Sequence, residues 1–305
     1  MSLYAQIQNL KAQLVDTERM LKLVGNHPLM SHSLARKLED IKNKLSKLPQ
    51  SVQEPKVRLL FSGNAVKGSM GIKSSFVGKT ISPIQELVKT QTALTRFGKV
   101  SQRGQAKKGN GSELYLTSLP IGSFGYELSQ LETHDLFDES DVATSISKVI
   151  SLIAATASSD ISFEEATEDM PKRSLNNLKK FFKEVADENS ILKIESGNTY
   201  LELSEEAVKE GYARVANTVS DENELFVKGI LRGFLLDSGR FEIVDETGKR
   251  YSGYISEQLS EDEIIAYDQK YLNKICRVHL QIVTTTFKTG NEKVSYELLD
   301  ISDPN

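Results

Sequence analysis

The chain is poor in the residues that most often build covalent or metal-bound centres: 305 residues include one cysteine and four histidines. Cys276 has no partner for an intramolecular disulfide and sits in no Cys-x-x-Cys or Cys/His spacing. A disulfide scaffold and a zinc module are therefore excluded, and a reducing, cytoplasmic compartment is expected. Long apolar runs are also missing. The longest weakly polar stretch, Val149 to Ala157, falls far short of the about 20 residues that a membrane-spanning helix requires. The first residues, MSLYAQIQNLKAQLVDTERMLKLVG, intersperse charge among the leucines, unlike a signal peptide, so this segment is expected to stay on the mature protein. Glycine (19) and proline (7) are too scarce for a fibrous or low-complexity chain, whereas 39% hydrophobic and 26% charged residues are globular values. The length allows two or three compact units, each with its own core.

Complete catalytic motifs are absent as well. Gly78-Lys79-Thr80 ends like a phosphate-binding loop, but the position that needs the first glycine is Lys73. Lys79 and Thr80 are therefore read as the end of an irregular connection. Among the histidines, His27 and His32 fall in a turn, His134 in an acidic loop, and His279 three residues from Cys276. An odd separation on a strand sends those last two side chains to opposite faces, which disfavours a Cys/His dyad. The cluster Asp135, Asp138, Glu139 and Asp141 lacks the glycine and the twelfth-position glutamate of a calcium loop. No catalytic residue, metal or cofactor is expected.

What is present is clear amphipathic patterning. Leu3, Ile7, Leu10, Leu14, Leu21 and Val24, then Leu34, Leu38, Ile41 and Leu45, mark two helices joined by GNHPLMSHS, with Ser31 or Ser33 as the expected N-cap. This predicts a helical hairpin over 1–50. Residues 56–158 read as an α+β unit: a strand at Val57–Phe61, a second at Gly71–Val77, and a helix capped at Ser82 with Pro83 at its first position. A Gly/Lys/Arg-rich loop, expected to be exposed and mobile, follows the helix; then come strands at Leu114–Leu119 and Gly125–Leu131 and a helix at Val142–Ala155. Residues 162–220 give a helical segment and a β-hairpin about Gly197-Asn198. From 224 to 303, five strands at short spacing and one helix, opened by Ser260 with Glu263, predict a small β-barrel, SH3-like or OB-like. The fold class expected is α+β.

Charge is unevenly placed. Residues through Ser112 carry net +13 and the remainder −17, a partition concealed by the overall −4. Between Pro55 and Ser112 there are eleven basic residues and one acid, Glu86. Three readings compete for that block: contact with phosphates, docking to an acidic partner or second copy, or neutralisation by the acidic second half of the same unit. The loop concentrates what faces outward, so Arg96, Lys99, Arg103, Lys107 and Lys108 are the candidate nucleic-acid or partner-binding residues. In the barrel, Phe226, Phe234, Phe241, Tyr251 and Tyr254 are candidate stacking residues or core.

The segments RLLFSGNAVKGSMGI and ELYLTSLPIGSFGYEL, with the Pro83 helix between them, resemble a loosely defined set of uncharacterised bacterial and prophage-encoded proteins over residues 56–131. That resemblance implies a mobile-element or antiphage context and transfers no residue role. The sequence thus predicts a non-enzymatic binding and assembly protein, contacting nucleic acid or an acidic protein through the basic loop and a protein partner or itself through the hairpin, without membrane contact. The alternative is a metal-dependent nuclease or nucleotide-processing enzyme using Lys79 and the carboxylates at 135–141.

Overall fold

The computed structural model describes residues 3–25, 27–48, 54–68, 70–98, 111–120, 124–131, 138–168, 170–236, 238–256 and 258–304. The chain begins with the helical hairpin, α1 (Leu3–Val24) and α2 (Pro28–Lys47). Thr17 of α1 and Ile41 of α2 are each 3% exposed, and Lys42 approaches Glu18 at 3.9 Å. The N-cap of α2 is His27, whose Nδ1 accepts the Met30 N–H at 3.4 Å, and not a serine. Pro28 supplies a helical φ at the first position, so α2 starts before its apolar stripe does. Leu23 and Leu29 at the hairpin tip are 79% and 80% exposed.

The central sheet has the order β4-β5-β1-β6-β7, from β1 (Lys56–Ser62), β4 (Leu114–Ser118), β5 (Gly125–Gln130), β6 (Ile191–Ser196) and β7 (Thr199–Leu203), all neighbours antiparallel. Alternation decides its faces: Val57, Leu59 and Phe61 of β1 are buried with Tyr126, Leu128, Leu192 and Ile194, and Arg58 points the other way between Glu127 and Glu195. The buried face carries α3 (Ser74–Phe97), α4 (Asp138–Ser158), α6 (Lys172–Asp187) and α7 (Glu205–Ala216), which share one apolar core with it. Because β1 pairs with both β5 and β6, residues 56–158 and the 162–220 segment build one unit around one sheet.

Two local expectations fail for identifiable reasons. The second strand shrinks to β3 (Gly71–Ile72), hairpin partner of β2 (Val66–Lys67), and α3 begins at Ser74, so that Pro83 lies inside the helix and Lys79 and Thr80 are helical. Gly78, Thr80 and Ser82 depress helix propensity, and Pro83 mimics a first-turn proline. Packing prevails instead: Phe76, Thr80, Ile84 and Leu87 fall on one buried face, and Thr80 Oγ1 donates to the Phe76 carbonyl at 2.9 Å. At its C-terminus α3 stops at Gly98, in the left-handed region at φ +64°, which returns its N–H to Leu94. The 162–188 helical patch is two helices, α5 (Asp160–Ala166) and α6, divided before Pro171.

The C-terminal unit is a closed ring of five strands in the order β10-β12-β11-β8-β9: β8 (Val219–Leu235), β9 (Arg240–Asp245), β10 (Arg250–Ile255), β11 (Ile275–Thr286) and β12 (Glu292–Ser302). Only the β10/β12 pair is parallel, and α8 (Glu261–Tyr271), with the expected Ser260/Glu263 capping box, joins β10 to β11. Leu231, Phe241, Ile243, Val278, Leu280 and Leu298 fill the ring. The long strands β8, β11 and β12 extend past it toward the helices. There Phe287 joins the central core, edge-on to Phe163 at 5.9 Å, Asn291 donates to Glu164 at 2.7 Å, and Lys172 binds Glu222 at 2.9 Å. These contacts fix the barrel against α5 and α6. No helix among the described residues is long and apolar enough to cross a membrane.

Candidate functional site: a groove between the helical layer and the barrel

The described part of the basic block is largely paired within the fold. Of its seven cations among the described residues, five hold carboxylates: Lys56 with Glu54 (3.2 Å), Arg58 with Glu127 (2.7 Å), Lys73 with Glu188 (2.8 Å), Lys79 with Glu184 (3.1 Å) and Arg96 with Asp141 (3.0 Å). Most of these acids come from later elements, β5, α6 and α4, so the fold folds the acidic half back on the basic one. Arg96, a candidate binding residue, sits in the last turn of α3 with its side chain 13% exposed against Asp141. Lys99, Arg103, Lys107 and Lys108 lie outside the described residues, as do His134 and Asp135 and the side chains of Asp138 and Glu139.

The remaining reactive candidates are also accounted for. Cys276 is fully buried with its thiol against the Gly229 carbonyl, and that burial pushes its pKa up, away from reactivity. His279 faces outward from the same strand, stacks on Phe226 at 4.3 Å and meets Glu224 at 3.1 Å. Among the described residues the bonded histidine ring nitrogens meet the Met30 N–H and Glu224, and no serine, threonine or cysteine side chain. Among the described residues no three His, Cys, Asp or Glu side chains are grouped to hold a metal.

Parity along the barrel strands separates the aromatic candidates. Phe241 and Tyr251 point inward, and Phe234 packs against the same core. Tyr254 points outward from β10, directly opposite Arg240 of β9. The Arg240 guanidinium lies 5.0 Å from the Tyr254 ring centroid and donates through Nη2 to the phenol oxygen at 3.0 Å. Ser252 continues this outward row. Gly253 between them permits the close parallel approach of β12, since a Cβ there would lie 2.1 Å from the Tyr296 carbonyl oxygen.

This face is one wall of a crevice of about 240 Å³; Glu168 and Met170, from the connection between α5 and α6, form the other. Lys293 lies on its rim and donates to the Thr167 carbonyl at 2.9 Å, holding β12 to that connection. Met170 also borders a second crevice of about 550 Å³ between α3, α4 and α5. The basic loop starts at the same seam: a Cβ on Gly98, its root, would stand 3.8 Å from Ser238 Cα in the β8–β9 turn, two residues before Arg240. A planar ring, a guanidinium, an ammonium and hydroxyls thus share the crevice with the Glu168 carboxylate. They do not assemble a nucleophile and base.

No family model, curated protein or solved structure matches the chain. Sequence reasoning had named Tyr254 without separating it from the core aromatics. The signal was available: Arg250, Ser252 and Tyr254 share one parity, Tyr251 and Ile255 the other. Glu168 and Met170 carried no signal, because only docking of the two units brings them to the barrel.

Proposed function

We propose that the chain is a non-enzymatic binding and assembly protein that holds single-stranded nucleic acid across β9 and β10 of an OB-type barrel. In ring order its strands run first, second, third, fifth, fourth, with a helix between third and fourth, which favours the OB-type reading over the SH3-like one. In such barrels the second and third strands and the flanking loops hold oligonucleotides. The observation that carries the reading is the outward Arg240–Tyr254 pair in a groove whose rim adjoins the root of the basic loop. From Asp221 onward the chain has 16 acids against 10 basic residues, so the net charge of the barrel alone opposes a polyanion. Lys99, Arg103, Lys107 and Lys108 supply the missing charge in this account.

Fluorescence anisotropy with a labelled twelve-nucleotide strand tests it. Tyr254→Ala removes one stacking surface and should weaken binding about 5- to 150-fold, the equivalent of about 1–3 kcal/mol. Replacing Lys107 and Lys108 with Glu should flatten the slope of log K against log salt by at least about 1.4, at about 0.7 per phosphate contact. Binding indifferent to both changes sinks the reading.

Assembly is the second part of the proposal. The exposed apolar residues at the hairpin tip, Met20, Leu23, Leu29 and Met30, lie among Arg19, Lys22, Arg36 and Lys37, a surface suited to an apolar, acidic partner surface.

A further inference from the structure

The larger crevice, between α3, α4 and α5, contains a polar group the fold does not use. Gln91 on α3 is 8% exposed, and its side-chain amide has no hydrogen-bond partner among the described residues although it lines this cavity of about 550 Å³. Its amide atoms stay open to the crevice, where water completes them until a ligand takes its place. Leu152, Ala155, Ala166 and Met170 provide an apolar floor. Lys148 stands on the rim, with its ammonium donating to Thr95 Oγ1 at 3.3 Å. Met170 is common to this crevice and to the barrel groove.

Resting on the single-strand reading above, we infer that this crevice is a nucleobase pocket of the same binding path, with Gln91 as its reading residue and adenine as its preferred base. An amide offers one donor and one acceptor side by side. Adenine presents the complementary pair on both of its amino-bearing edges, N6 with N7 and N6 with N1. A purine also covers more of the Leu152–Met170 floor than a pyrimidine, and the thioether of Met170 favours contact with an aromatic ring. Lys148 then meets the adjoining phosphate as a point charge. The carboxylate of Glu165, which also lines the crevice, repels a phosphate beside it and so favours entry along Lys148.

The test is anisotropy on the full chain with labelled dA12, dC12 and dT12 at one salt concentration, beside AMP as a competitor. The expected result is a dA12 preference of about 5- to 150-fold. Gln91→Leu should abolish the preference while leaving the dC12 affinity in place. Gln91→Glu, which keeps the shape and loses the donor, should abolish it too, and equal thermal melts of the variants exclude misfolding as the cause. Tyr254→Ala should weaken all three strands in parallel. A wild-type protein that binds the strands without distinguishing them, or a preference that survives Gln91→Leu, overturns the base pocket and leaves the barrel reading standing. Failure to bind any strand overturns both. Competition by AMP as strong as by dA12 would mark a free-nucleotide site and overturn the strand path.

Discussion

Phe287→Ala probes the joint that makes the groove. Phe287 lies in the β11–β12 turn, 7% exposed, and belongs to the core of the helical unit although the strands it joins belong to the barrel. Its ring meets Phe163 of α5 edge-on at 5.9 Å. Truncating a core phenylalanine costs about 3–5 kcal/mol, and the aromatic pair accounts for about 0.5–1.5 of that. The hairpin end can settle partly into the space, so the lower figure, about 3 kcal/mol, is expected. Asn291 and Thr289 bound to Glu164, and Lys293 bound to Thr167, would then hold the hairpin by polar contacts alone. Urea unfolding followed by circular dichroism reads the loss, and limited proteolysis around residues 287–291 should become faster. Repeating the change with Phe163→Ala closes a double-mutant cycle, whose coupling should match the aromatic term. A loss below about 1 kcal/mol with unchanged proteolysis would refute a packed joint between barrel and helices.

Other consequences are more local. Ser260→Ala removes the α8 cap and should cost about 1 kcal/mol. Hydrogen bonds from the Ser260 N–H and hydroxyl hold the Glu263 carboxylate below its ordinary pKa of 4.5. A depressed carboxylate stabilises above its unfolded pKa, so the difference between wild type and Ser260→Ala should persist at neutral pH and shrink as pH falls below about 4.5 in acid titrations of stability. Arg58→Met removes the cation shared by Glu127 and Glu195 on the sheet face and should cost about 3 kcal/mol in chemical denaturation, most of it recovered when both acids become Gln. Changing Leu23 and Leu29 to Glu should lower the mass seen by light scattering if the hairpin tip joins two copies, with no loss of helical signal; an unchanged mass excludes self-association there.

Local signals in the sequence reach a long way in this chain. The hairpin stripes, the Gly197-Asn198 turn, the Ser260/Glu263 box and the alternating C-terminal strands each encode their element with neighbouring residues. The pairing of Arg58 with both Glu127 and Glu195 could not be read that way, since register between distant strands is decided by the whole sheet. Pro83 misled because its local meaning, a first-turn residue, yields to the burial of Phe76 and Thr80 before it. The basic block was legible as charge but not as pairing: Glu184, Glu188 and Asp141, which answer Lys79, Lys73 and Arg96, arrive from later helices. In the barrel, parity alone places Tyr254 outside, whereas Gln91, Glu168 and Met170 gain meaning only from helix packing and from docking of the two units.

The central claim concerns where a strand lies, and photocrosslinking reads that directly. A single strand carrying 5-iodouracil, bound to the full chain, irradiated and mapped by mass spectrometry, should attach within the β10 and β12 peptides that contain Tyr254 and Tyr296. Crosslinks confined to Phe226 and His279 on β8 and β11, or to none of these tyrosines, would contradict the groove.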